Sequence, residues 1–140
     1  MATFNKYCCF VENLAEKVHN LQSDTLKVAL TNTAPAATDT VWNTTVYPAP
    51  VAANGYTAGG NTLTVTSSSQ TTGTYKLVLA DSLFVASGGT IGPFRYVVLY
   101  NSTASNSVIG YYDYGSSITL ADTETFTIDF DFSNGVLTLA

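Results

Sequence analysis

His19 is the only histidine in 140 residues, so acid–base or nucleophilic chemistry would have to begin there. A catalytic imidazole needs a carboxylate to orient it and a nucleophile within hydrogen-bond reach. No serine stands in a nucleophile-elbow setting; Ser87-Gly88-Gly89 and Gly115-Ser116-Ser117 read as turns. Carboxylates are more plentiful: Asp129 and Asp131 lie two apart, Asp122 and Glu124 just upstream, Asp113 further back. Converging on a loop, such oxygens would suit calcium, which takes about six to eight of them. Residues two apart on a strand instead share one face, and no looped D-x-D-x-D-G motif occurs, so a solvated acidic face is expected. Cys8 and Cys9 are adjacent; neighbours cannot bridge without severe strain, and a zinc site needs more ligands than one histidine beside them supplies. Two reduced thiols, one of them packed, are expected. The reading is a non-enzyme with no metal and no cofactor.

Aromatic side chains offer a different chemistry. Trp42, Tyr47 and Tyr56 fall in one stretch, and Tyr111, Tyr112 and Tyr114 gather beside Gly110 and Gly115. Exposed, they would stack on sugar rings; buried, they would fill a core and leave their hydroxyls at its rim. Charged residues make up only 11% of the chain, against roughly 25% in an ordinary globular protein. Five cations (Lys6, Lys17, Lys27, Lys76 and Arg95) are scattered among ten carboxylates, for a net charge of −5. Phosphate and anionic-lipid surfaces call for clustered cations, so neither nucleic acid nor membrane is an expected partner. No apolar run approaches the roughly 20 residues that span a bilayer. The first ten residues lack a basic region followed by an apolar stretch, so the expectation is a reducing cytosol, or export inside an assembly.

Two kinds of element must position these groups. Tyr7, Phe10, Val11, Leu14, Val18 and Leu21 are spaced by three or four residues, which predicts one amphipathic helix of about four turns within 5–21, capped by Thr3 or Asn5. After Asp24 the period becomes two. Leu26, Val28 and Leu30 alternate with Thr25, Lys27, Ala29 and Thr31, Leu63 and Val65 with threonines, and Tyr75, Leu77 and Leu79 with Lys76 and Val78. The stretch 94–100 is nearly all apolar and aromatic and reads as a central strand covered on both faces. Strands follow over 107–112 and at Ile118 and Leu120. In 126–132, Phe126, Ile128, Phe130 and Phe132 are expected to face one way, and Ser133-Asn134-Gly135 to turn a tight hairpin into a short last strand. Residues 34–51, with Pro35, Pro48 and Pro50, read as a long irregular loop. About eight short strands without intervening helices predict an all-β, antiparallel β-sandwich of jelly-roll type. The chain divides into an N-terminal amphipathic helix or arm, 1–23, and the sandwich, 24–140.

What remains is adhesion. The helix face and the proline-rich loop offer apolar area to a partner through Tyr7, Phe10, Val11, Leu14, Trp42 and Tyr47, and a strand edge offers backbone hydrogen bonds. Weak contacts of this kind become tight when repeated on a symmetric lattice. The stretches 24–35 (DTLKVALTNTAP), 88–96 (GGTIGPFRY) and 118–140 resemble small structural proteins of tailed bacteriophages, nearest to the capsid cement (decoration) proteins of short-tailed phages. The resemblance implies a jelly-roll homodimer made in the cytoplasm of a host bacterium. It would sit on the outer capsid surface of the virion and clamp neighbouring major capsid proteins. A two-fold dimer suits the two-fold positions of a shell. No active-site residue is implied. The alternative is a glycan-binding tail or surface module of the virion, using Trp42 and the tyrosine cluster.

Overall fold

A computed structural model describes residues 2–140 of the chain. It is mostly β, with one short helix and antiparallel pairing in every sheet. The period-two run after Asp24 becomes β2 (Leu26–Thr31), which pairs along its whole length with β7 (Ile91–Asn101). The near-continuous apolar sequence of β7 places it at the centre, with β8 (Ser107–Leu120) on its other side. Two-residue strands, β1 (Asn5–Lys6) and β3 (Asn61–Thr62), complete the order β1-β8-β7-β2-β3. A second sheet runs β10 (Leu137–Leu139), β5 (Thr74–Leu79), β4 (Val65–Thr71), and a third pairs β6 (Ser82–Val85) with β9 (Thr125–Ile128). Thr72 and Gly73 both adopt positive φ, the two-residue turn whose twist matches the flanking strands of a hairpin.

Alternation sends the side chains of the five-stranded sheet into two separate cores. Leu26, Val28, Leu30, Phe94, Val97 and Leu99 meet Leu77, Leu79, Phe84 and Ile128 from the other two sheets in the larger one. Ala29, Val98, Tyr100 and Val108 point the opposite way and are covered by Tyr7, Trp42 and Tyr47. The expected two-sided covering of 94–100 is therefore present. One of its two covers is not a regular layer but the irregular stretch 34–51, joined to β8 by a single bridge between Val41 and Ser107.

Several sequence expectations are corrected. The helix, α1, is Cys9–Ala15, two turns rather than four, and Asn5 lies in β1 rather than at its cap. Lys17 takes a left-handed φ of 65°. Beyond it, Asn20 Oδ1 accepts the amides of Gln22 and Ser23, while Asp24 Oδ2 accepts that of Asn20. Polar side chains that bind nearby backbone compete with helix, and here they win, turning His19 and Leu21 into the interior. Within 2–23, β1 pairs with β8, and Phe10 and Leu21 belong to the larger core. Residues 62–66 are not one strand. Leu63 N still donates to Leu26 O, but Ala80 N donates to Thr64 O, so the chain changes sheets between them. The pieces 107–112 and 118–120 are one long strand, β8, and β6 went unanticipated. Phe130 is buried while Phe132 is 72% exposed, because β9 stops at Ile128 and Phe130 N bonds Asp81. The closing strand pairs with β5, not with β9.

Candidate functional site: open edges and an acidic aromatic groove

The six side chains that the sequence offers to a partner divide by burial. Tyr7, Phe10 and Tyr47 are at most 1% exposed, and Trp42 is 8% exposed. Trp42 stacks on Tyr100 with ring centroids 4.6 Å apart and planes 11° apart. Tyr7 and Tyr47 share a hydrogen bond of 3.1 Å between hydroxyls, and Tyr47 donates onward to Asp39. Burial, chiefly, raises the pKa of both phenols above the ordinary tyrosine range. These residues fasten the 34–51 stretch to the sheet, and their apolar area is already spent within the chain. Tyr56 is buried as well, its hydroxyl accepting the amide of Leu30. Of the six, Val11 is exposed and Leu14 half-buried. A sugar platform on Trp42 is accordingly ruled out in this conformation.

The chemistry-bearing residues are likewise held structurally. His19 is 4% exposed. Asn101 Oδ1 accepts the amides of Thr103 and Ala104, which orients its amide so that Nδ2 faces both His19 Nδ1, at 3.0 Å, and Asp24 Oδ2, at 2.6 Å. The His19 proton thus sits on Nε2, which is buried without a partner, and burial lowers the imidazole pKa. Cys8 is exposed and Cys9 partly packed, both free. Asp113 makes a two-pronged pair with Arg95, at 2.8 and 2.9 Å, which holds its carboxyl below the usual range. Among the described residues no three His, Cys, Asp or Glu side chains are placed to hold a metal ion. No helix there is long and apolar enough to cross a membrane.

Outward features lie elsewhere. β4 is the terminal strand of its sheet, seven residues of Val, Thr, Ser and Gln with no charge and no proline. Unpaired edges of this kind are templates for another strand, which is why most proteins guard them with charge or proline. On β6, Leu83 and Val85 point outward, 52% and 41% exposed. A groove of about 460 Å³ opens beside β8 and β9. Period-two placement sets Tyr112 and Tyr114 on its one wall; Phe4 and Phe126 join them, with centroid distances of 5.5 Å (Phe4–Tyr112) and 5.8 Å (Tyr114–Phe126). Phe4 can lie there because β8 has Gly110 opposite, where a Cβ would collide with its ring. Asp129 and Asp131 complete the rim. Asp131 accepts the amides of Ser133 and Asn134 and the Asn134 side chain, bonds that lower its pKa. The Tyr112–Tyr114 alternation was readable from sequence. The arrival of Phe4 was not, because it depends on a two-residue strand and a missing Cβ.

No protein-family model, no curated protein and no solved structure matches this chain.

Proposed function

We propose that the chain is a virion structural protein that acts by adhesion: a capsid cement protein on the outer surface of an icosahedral phage shell, a homodimer tying neighbouring major capsid proteins together. In this reading the three sheets form one sandwich of jelly-roll type, supported by the core that all three share. The observation that carries adhesion is the open edge of β4, long enough for several backbone hydrogen bonds and free of the charges that deter a second strand. The outward Leu83 and Val85 add apolar area of the sort found at protein contacts. The sequence resemblance supplies the identity of the surface. A net charge of −5 suits an outer position better than one beside packaged DNA.

The test compares shells with and without the chain. Complete shells should break at higher temperature or force, and equal stability would count against the proposal. Ser69→Lys, at an exposed position of β4, should leave the isolated protein folded and weaken its retention on shells. Undiminished decoration by this variant would remove the edge from the contact.

A further inference from the structure

The groove between β8 and β9 has a lining that selects its occupant. Four aromatic rings (Phe4, Tyr112, Tyr114, Phe126) stand around two carboxylates, and among the described residues no lysine, arginine or histidine lines it. The two carboxylates repel an anionic ligand. The two carboxylates differ in what they have left to give. Asp131 spends its oxygens on three donors of its own turn, so it contributes field rather than bonds. Lys76, whose ammonium is tied to the Ser133 carbonyl at 2.9 Å, acts on Asp131 from the same turn and offsets part of its field without lining the groove. Asp129 is exposed and, among the described residues, receives no hydrogen bond or ion pair. A sugar would want several free directional donors and acceptors; a cation wants a negative field and the electron-rich faces of rings. The groove provides the second set.

We infer that this groove takes a cationic side chain, arginine foremost, presented by the partner polypeptide. Guanidinium fits better than ammonium because its plane stacks on rings while its fork reaches a carboxylate with two hydrogen bonds. Asp129 is the residue that would receive the fork, and Tyr114, 53% exposed, the ring most available for stacking. The inference rests on the adhesive reading and names the chemistry of one of its contacts. An exposed pair of this kind is weak alone, with a dissociation constant of about tens of millimolar or weaker, and gains strength only through repetition on a lattice.

The test titrates the full chain with N-acetyl-arginine methylamide while the resonances of Tyr114 and Phe126 are followed by NMR. N-acetyl-citrulline methylamide, of the same shape but uncharged, and methyl glucoside serve as controls. Saturable shifts with the arginine probe alone are expected, weakened by added salt and reduced about three- to tenfold by Asp129→Asn. Tyr114→Ala should reduce them similarly. Both substitutions are at exposed positions, so the variants should fold. Equal shifts with citrulline or the glucoside, indifference to salt, or no shift with arginine would each overturn the inference. None of these outcomes touches the shell-stability comparison, so the adhesive reading stands or falls separately.

Discussion

Trp42→Ala separates a packing role from a binding role. The indole is 8% exposed, stacked on Tyr100, and one of three large rings covering the outer face of the five-stranded sheet. Truncating a buried Trp to Ala costs about 3–5 kcal/mol through lost transfer energy and the cavity left behind. One feature offsets part of this: Trp42 Nε1 is buried with no partner, and removing an unsatisfied donor returns about 1–3 kcal/mol. The midpoints of these ranges leave a net loss of about 2 kcal/mol. At about 2.1 cal/mol/K of unfolding entropy per residue, a chain of this length melts about 3–4 °C lower per kcal/mol, so Tm should fall by about 6–8 °C. Trp42→Phe keeps a ring over Tyr100 and also removes the orphan donor, so it should cost about 1 kcal/mol or less.

Circular dichroism melts give the comparison without relying on the only Trp as fluorophore. A Trp42→Ala protein with wild-type Tm would refute the reasoning, since it would mean that the irregular stretch contributes nothing to the second core. A large loss for Trp42→Phe would equally refute it, by showing that Nε1 has an acceptor.

Three further outcomes follow from burial and charge. Phe10→Asp should prevent folding, because it leaves an unpaired charge in the larger core, whereas Val11→Asp, at a side chain 47% exposed, should fold normally; melting curves of the two separate the buried and exposed positions of α1. Burial lowers the folded His19 pKa below the 6.5 of a free imidazole, so below that pH the unfolded chain takes up a proton that the folded chain resists. Stability should therefore decline as pH falls from 6.5 toward the folded value, and His19→Leu should flatten this slope in melts between neutral and mildly acidic pH. Tyr100 and Tyr112 are pushed up to about 12 from 10.0, both chiefly by burial. Their contribution is fully present below pH 10 and lost as pH rises toward 12, so the part of the tyrosinate absorbance that a Tyr112→Phe variant lacks should appear together with unfolding rather than before it.

Much of the β architecture was legible in the residues because period-two alternation is a local signal. Leu26, Val28 and Leu30 declared their face, and the run 94–100, apolar and aromatic but for Arg95, declared that its strand was covered twice. The α1 stripe misled because Val18 and Leu21 continue a helical spacing that Asn20 and Asp24 interrupt with backbone hydrogen bonds of their own. Spacing reports which side chains are apolar, not whether the backbone between them stays helical. The same limit applies to Phe132, in phase with Phe126 yet left outside once Asp131 captured the turn. Trp42 and Tyr47 were misplaced for a different reason. A loop rich in Pro, Thr and Ala looks like surface unless the exposed side of a sheet needs a cover, and that need is visible only after β2, β7 and β8 are assembled.

Under the proposed adhesive role, that second cover also limits where a partner could be held. With both faces of the five-stranded sheet occupied, its outward resources are its edges, and these are β1 and β3, two residues each. Strands so short can give a partner few backbone bonds. The β6–β9 pair offers four residues on either side. β4 offers seven, next to a three-residue β10 at the opposite edge of the same sheet. Backbone pairing gains with length but reads little sequence, so an edge alone would adhere indiscriminately. Discrimination has to come from side chains beyond the edge. In the proposed reading the acidic aromatic groove, beside β8 and β9, would supply a charge requirement that β4 lacks, and a partner satisfying both would be held by two weak contacts that each reject different wrong surfaces.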